Sequence, residues 1–173
     1  MAMQLKRISQ AALPAALAKA ERYRLLNEPE QAESICRDVL AVEPKNQSAL
    51  VTLLLALTDQ FRAHSTTSVR RAEEVLAQLG AEGEYLRIYY AGIVRERWGL
   101  ALLAEGDPGR QAFAWLDDAM KHYESAEAKA PAGNDDAILR WNSCARIIER
   151  EGLRAEAEAE MAGFDHGDAA PRR

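Results

Sequence analysis

The sequence predicts an all-α protein built from consecutive antiparallel helical hairpins. Three observations carry this expectation. Apolar residues recur at helical spacing throughout, and no stretch alternates with period two over a useful length. Helix-stopping signals built on Pro, Gly and Asn punctuate the chain at short intervals. Most of the implied connections are short, so sequence neighbours should pack side by side.

The elements follow in order, about eight helices in all. Residues 3–12 read as a first helix. Pro14 opens a second, to about 27, as a first-turn proline can, and Asn27–Glu28–Pro29 breaks it. A third covers 30–42 and is closed by Glu43–Pro44. Asn46 caps a fourth, 47–61, apolar nearly all round (Leu50, Val51, Leu53, Leu54, Leu55, Leu57), which therefore needs cover on more than one side. After the polar loop 62–67, a fifth helix runs over 68–79. The sixth, 84–104, carries Tyr85, Leu86, Ile88, Tyr89, Ile93 and Trp98, with Gly92 and Gly99 inside it. Gly106–Asp107–Pro108–Gly109 marks a turn. A seventh helix spans 110–129 and ends before Pro131. Asn134 caps a last one, 135–150, with Ile138, Trp141, Ala145 and Ile148 on one stripe. The chain beyond Arg154 reads as continuing helix to about 161, followed by a disordered tail over 163–173. The domain reading is an N-terminal helix in 1–12, a helical-repeat domain in 13–150 and a polar tail in 151–173.

Composition excludes several classes of protein. With 173 residues, 48% hydrophobic and 28% charged, the chain reads as one folded domain that needs no disulfide or metal to hold it. Apolar runs stay under ten residues, too short for a bilayer span, so no membrane partner is expected. The net charge of −5 is uneven: residues 1–80 sum to +1 and residues 81–173 to −6. Such a surface repels phosphate backbones, and the best basic stripe (Lys6, Arg7, Arg22, Arg24) reads as a solvated helix face; no nucleic acid is expected. Cys36 and Cys144 lie far apart, outside any CxxC, on apolar helix faces. They read as buried free thiols suited to a reducing cytoplasm. Lys6 and Arg7 precede an alanine-rich stretch interrupted by Gln10 and Pro14, a poor core for a secretion signal.

An internal period is visible. In 23–44, Tyr23 is followed by Ala32, Cys36, Val39 and Pro44. In 119–131, Ala119 is followed by Tyr123, Ala126 and Pro131, at the same Ala-x3-large-x2-small-x4-Pro spacing. Ala72, Leu76 and Leu79 give the spacing a third time, with Glu84 where the proline would stand. The small residue permits close approach of two helices, the larger one fills the space between hairpins, and the proline ends the helix. With these residues the chain resembles the tetratricopeptide repeat family over about 13–150, in three degenerate repeats. Tyr23 matches the tyrosine of that family's first helix, and Gly92 approximates its close-approach glycine. Pro44 to Pro131 spans 87 residues where two repeats of about 34 would need about 68. The alanine positions place the excess at 61–69 and 98–115.

The resemblance implies a right-handed superhelix with a C-terminal capping helix and a concave face lined by the first helix of each repeat. Carried over from Pro44, the lining positions are Leu17, Glu21 and Arg24, then Ser48, Val51, Leu55 and Thr58, then Tyr85, Tyr89, Arg95 and Arg97. A well-known subtype of the family clamps the C-terminal carboxylate of heat-shock proteins with lysines and asparagines. Here Leu17, Glu21, Val51 and Leu55 stand instead, so that chemistry is not expected. The expected partner-binding groove is Leu17, Arg24, Val51, Leu55, Thr58, Tyr85 and Tyr89, suited to an apolar peptide or amphipathic helix of another protein. The alternative is that these side chains are core, or are covered by the first helix. An uncapped stack end also leaves homodimerisation open.

No catalytic constellation is evident. His64 falls in a polar loop and His122 beside Lys121; the tail run Asp165–His166–Gly167–Asp168 has metal-ligand residue types but no rigid frame. Asp117–Asp118 and Asp135–Asp136 read as helix-surface charges. No nucleophile elbow, phosphate loop or HExxH occurs. The expectation is a cytoplasmic, non-enzymatic adaptor with no cofactor and no metal. The runner-up is a small acidic chaperone that holds apolar segments of a client.

Overall fold

The computed structural model describes residues 3–61, 67–80, 83–107 and 109–155. Three quarters of them are helical and none forms a strand. The helices are α1 (Leu13–Leu25), α2 (Pro29–Val42), α3 (Gln47–Asp59), α4 (Thr67–Leu76), α5 (Glu84–Ala104), α6 (Arg110–Glu127) and α7 (Asp136–Glu151). Each packs against the next in sequence, and α3 also touches α1 and α5. The result is an all-α stack of helical hairpins closed by α7.

Local chemistry sets the boundaries. Pro14 sits in the first turn of α1, where its missing N–H costs nothing. Asn27 adopts φ +60°, a left-handed conformation that asparagine tolerates. The Glu28 N–H then reaches the Tyr23 carbonyl at 2.9 Å, closing α1 tightly. The Asn46 side chain accepts the Ala49 N–H at 2.9 Å, as an N-cap should. At α7 the capping is displaced by one residue. The amide oxygen of Asn134 accepts the Asp136 N–H at 3.0 Å, while Asp135 occupies the cap position.

Three sequence expectations are corrected. Residues 3–9 are not helical; only a short 3₁₀ turn, Gln10–Ala12, precedes α1. Met3 and Leu5 in that stretch are 96% and 86% exposed, and the segment meets the stack through Ile8, which packs against the Leu13, Val39 and Ala49 cluster. The reason is that propensity alone cannot hold so short a helix in water. The last helix does not run on to about 161: Gly152 turns left-handed (φ +62°) and residues 153–155 are irregular. The remainder of the 151–173 tail, 156–173, lies outside the described residues, as does most of the 62–67 loop.

The core is continuous along the stack. α3 buries Ala49, Leu50, Thr52, Leu53, Leu54, Ala56, Leu57 and Thr58, nearly its whole circumference, between α1, α2, α4 and α5. The α5–α6 hairpin is the longest. Its α6 stripe Ala112, Leu116, Ala119, Tyr123 and Ala126 is fully buried. A Cβ on Gly92 would lie 2.5 Å from the Tyr123 ring, so only glycine allows the two helices to sit this close. The repeat positions Ala32, Cys36 and Ala72 are likewise fully buried, Tyr23 and Leu76 are half-buried, and Pro44 and Pro131 lie exposed at their turns. α5 and α6 are the longest helices, with 21 and 18 residues.

Candidate functional site

Of the expected groove residues, the structure brings Arg24 and Thr58 together in one hollow, while Leu17, Val51 and Leu55 pack against three different parts of the core. Each of α1, α3 and α5 carries an apolar side chain and, seven residues later, a polar one: Leu17 and Arg24, Val51 and Thr58, Tyr90 and Arg97. Seven residues are two helical turns, about 10.5 Å along the axis. On each of the three helices an apolar position thus lies two turns before a polar one. Leu17, Val51, Leu55 and Tyr90 are half-buried, and Glu21 and Ser48 are exposed along the same helix faces.

Contacts align the polar positions across the helices. Arg24 donates to Asp59 at 2.7 Å, and Arg97 donates to the other oxygen of the same carboxylate. Arg97 also donates to Thr58 Oγ1 at 2.7 Å and to the Leu55 carbonyl at 3.3 Å. Burial weighs against the Arg97 charge and Asp59 favours it; the net pull is below the ordinary arginine value. An open hollow of about 340 Å³ lies here, lined by Arg24, Asn27, Thr58, Asp59, Phe61, Arg97 and Leu100.

Two expected lining residues are corrected. Tyr85 is 8% exposed and belongs to the core, where its hydroxyl donates to Asn134 at 3.1 Å. Arg95 turns away from the face, pairing with Asp118 at 3.1 Å and lying 3.6 Å from Glu73. Arg95 and Arg97 are two positions apart on a helix and so project about 200° apart, which separates them onto opposite sides. Thr58 is 4% exposed, so it forms the floor of the hollow rather than an open wall. Tyr89 is half-buried and turned toward α7: it stacks on Tyr85 (ring centroids 5.7 Å) and meets Tyr123 at 5.9 Å.

Sequence reasoning missed Asp59, Tyr90 and the buried charge pair behind them. Glu96 is 2% exposed, yet accepts Tyr123 Oη at 2.5 Å and Arg140 at 3.1 Å. The seven-residue offset from Leu17, Val51 and Tyr90 was the available signal for the polar positions. Nothing in the sequence pattern singled out Glu96, because a lone Glu inside an amphipathic helix reads as surface.

Among the described residues no group of His, Cys, Asp and Glu could hold a metal ion, and no helix is long and apolar enough to cross a membrane. His122 bonds the Asp118 carbonyl on its own helix at 2.8 Å. His64 and Asp165–His166–Gly167–Asp168 lie outside the described residues. Cys36 and Cys144 are buried and free.

Comparison with known proteins adds one finding. The chain is 38% identical over 88 residues to a histidine–tRNA ligase of Gluconobacter oxydans (strain 621H), a stretch that is 50% of this chain and 21% of that protein. The chain thus spans about a fifth of the length of the curated relative it matches. No family model matches the chain, and no solved structure matches it.

Proposed function

We propose that this chain is a non-enzymatic interaction module of tetratricopeptide-repeat type, cytoplasmic, that holds a segment of another protein on the α1–α3–α5 face. The carrying observation is the lateral register of three helices. The Arg24–Asp59–Arg97 contacts align the polar positions, and on each helix an apolar position lies two turns before the polar one. Apolar positions near directional polar groups are what a peptide or amphipathic helix docks on. The alanine and glycine close approaches, above all Gly92 on Tyr123, support the repeat reading, and the two buried thiols support a reducing compartment. The stretch shared with the histidine–tRNA ligase is about a fifth of that protein and supports no assignment of its activity.

The test is an affinity capture with purified tagged protein, read by mass spectrometry, against two variants. Val51→Asp places a charge at the apolar position of α3. Ser48→Arg adds bulk on the exposed edge of the same helix and touches no core residue. Loss of one specific partner in both, with helical circular dichroism retained, supports the reading; an identical partner list from wild type and variants refutes it.

A second reading, a holding chaperone, draws on the exposed leucines Leu25 (85%), Leu26 (61%) and Leu139 (65%). It requires that the protein suppress aggregation of a client at stoichiometric ratio, which a simple adaptor does not.

A further inference from the structure

We propose that the hollow between Arg24 and Arg97 is a seat for a side-chain carboxylate, so that the segment bound on this face is acidic. This inference rests on the proposed interaction function and names the chemistry of its partner.

Four features of the molecule lead there. First, the charges do not balance. Two guanidinium groups share the single carboxylate of Asp59, each one-fifth exposed, in a chain whose net charge is −5. Arg140 and its counter-ion Glu96 both act on Arg97 and oppose each other, so the excess is that of Arg24 and Arg97 over Asp59. This patch is therefore positive on an acidic protein.

Second, donors are left over. Arg24 engages Asp59 through Nε, and no described residue takes the hydrogens of its two terminal nitrogens. Arg97 engages through Nη1 alone. A guanidinium offers five N–H groups in a planar fork, and a carboxylate is the planar acceptor that fits it in a two-bond pair.

Third, the space is of the right size and character. The hollow holds about 340 Å³, enough for an aspartate or glutamate side chain with its backbone. Thr58 and Asn27 supply polar wall, and Phe61 and Leu100 supply cover that strengthens the electrostatics.

Fourth, the neighbouring apolar positions fix a spacing. They lie about 10.5 Å from the polar ones along the helix axes. A bound helix would place its acid about seven residues from an apolar anchor; an extended segment, at about 3.3 Å per residue, would place it about three away. The incoming acid can share the two arginines with Asp59 or take its place.

The experiment is selection from a random fourteen-residue peptide library displayed with the peptide C-terminus fused, so that only side-chain carboxylates are offered. The expected winners carry Asp or Glu at one of those two spacings from an apolar residue. The affinity of a winning peptide, measured by fluorescence anisotropy, should fall on the order of tenfold in Arg24→Gln and fall with added salt. It should rise in Asp59→Asn, because removing the resident carboxylate frees both guanidiniums. A purely structural role for Asp59 would instead lower thermal stability and leave peptide affinity unchanged or weaker; that outcome overturns the proposal. If Asp59→Asn does not fold, Arg24→Gln decides alone, since among the described residues the Arg24 side chain bonds Asp59 alone. Winning peptides without acids, whose binding is lost in Val51→Asp, would overturn the carboxylate seat and leave the interaction function standing. No winning peptide from wild type would overturn both.

Discussion

Arg140 of α7 meets the buried carboxylate of Glu96 in α5 across 3.1 Å, while Tyr123 of α6 donates to the other oxygen at 2.5 Å. One acid thus ties the last three helices of the stack. The tie is directional, where the surrounding contacts of Ile93, Leu116 and Cys144 are not. A buried carboxylate is tolerable only when its partners are in place.

Removing either partner should therefore cost more than an ordinary surface change. Tyr123→Phe leaves one carboxylate oxygen unpaired in the core, at about 1–3 kcal/mol. Arg140→Met removes the counter-charge. Arg140 is about a third exposed, so water moderates the loss to about 2 kcal/mol, below that of a fully buried pair. At about 2–4 °C per kcal/mol for a chain of this size, Arg140→Met should lower Tm by about 4–8 °C. Calorimetry of the two variants checks this; an unchanged Tm would show that the pair contributes nothing net.

Gly92 and Gly99 make an internal comparison. A methyl on Gly92 would fall 2.5 Å from Tyr123 Cε1, on a ring whose hydroxyl is held by Glu96 and which cannot retreat. At Gly99 the nearest atom, Leu116 Cγ, is 3.2 Å away. Overpacking costs about 1–3 kcal/mol, against about 1 kcal/mol gained in helix propensity. Gly92→Ala should be destabilising on balance and Gly99→Ala near neutral, as urea denaturation of both will read. Equal midpoints would show that the α5–α6 spacing adjusts freely.

Glu33 makes stability sensitive to acid. Burial pushes its carboxyl up, but bonds from Gln60 and Arg37 and the Arg71 charge outweigh that and hold it below the ordinary 4.5. A depressed folded-state pKa contributes stability in full above the unfolded value and loses it as pH falls through the folded one. Unfolding free energy should therefore decline below about pH 4.5, and Glu33→Gln should flatten part of that decline. Denaturation midpoints from pH 7 to pH 3 test it; parallel curves for wild type and variant would remove Glu33 from the account.

The cysteines should be silent. Burial pushes both Cys36 and Cys144 up to about 12, outweighing the nearby arginines. The thiolate is the reactive form, so neither should react with a disulfide reagent at pH 8 until the protein unfolds. Fast labelling of native protein would show that the stack opens locally at α2 or α7.

The helices were legible because their signals are local. Pro14, Asn46, the Glu43–Pro44 break and the 3.6-residue spacing act within a turn or two, and so predicted α1 to α7 to within a few residues. The apolar circumference of Leu50 to Leu57 required cover on several sides, and α3 has it. Where a signal depended on a partner, the sequence misled. Residues 3–12 had helical composition but were too few to hold a helix on propensity alone, and Gly152 ended α7 where alanine and glutamate favoured continuation.

The site divides in the same way. Spacing alone put Leu17 with Arg24 and Val51 with Leu55 on one side of their own helices; that the two sides form one face was only what the family resemblance implied. Two arginines converging on Asp59 could not be read from spacing, since Arg24 and Asp59 are 35 residues apart and Arg97 a further 38. Nor could spacing tell Arg97, which faces α3, from Arg95, which faces α4 and α6. Periodicity fixes which residues share a side of one helix. Only the packing of helix on helix decides which sides meet, because that depends on the volumes and close approaches of residues distant in the chain.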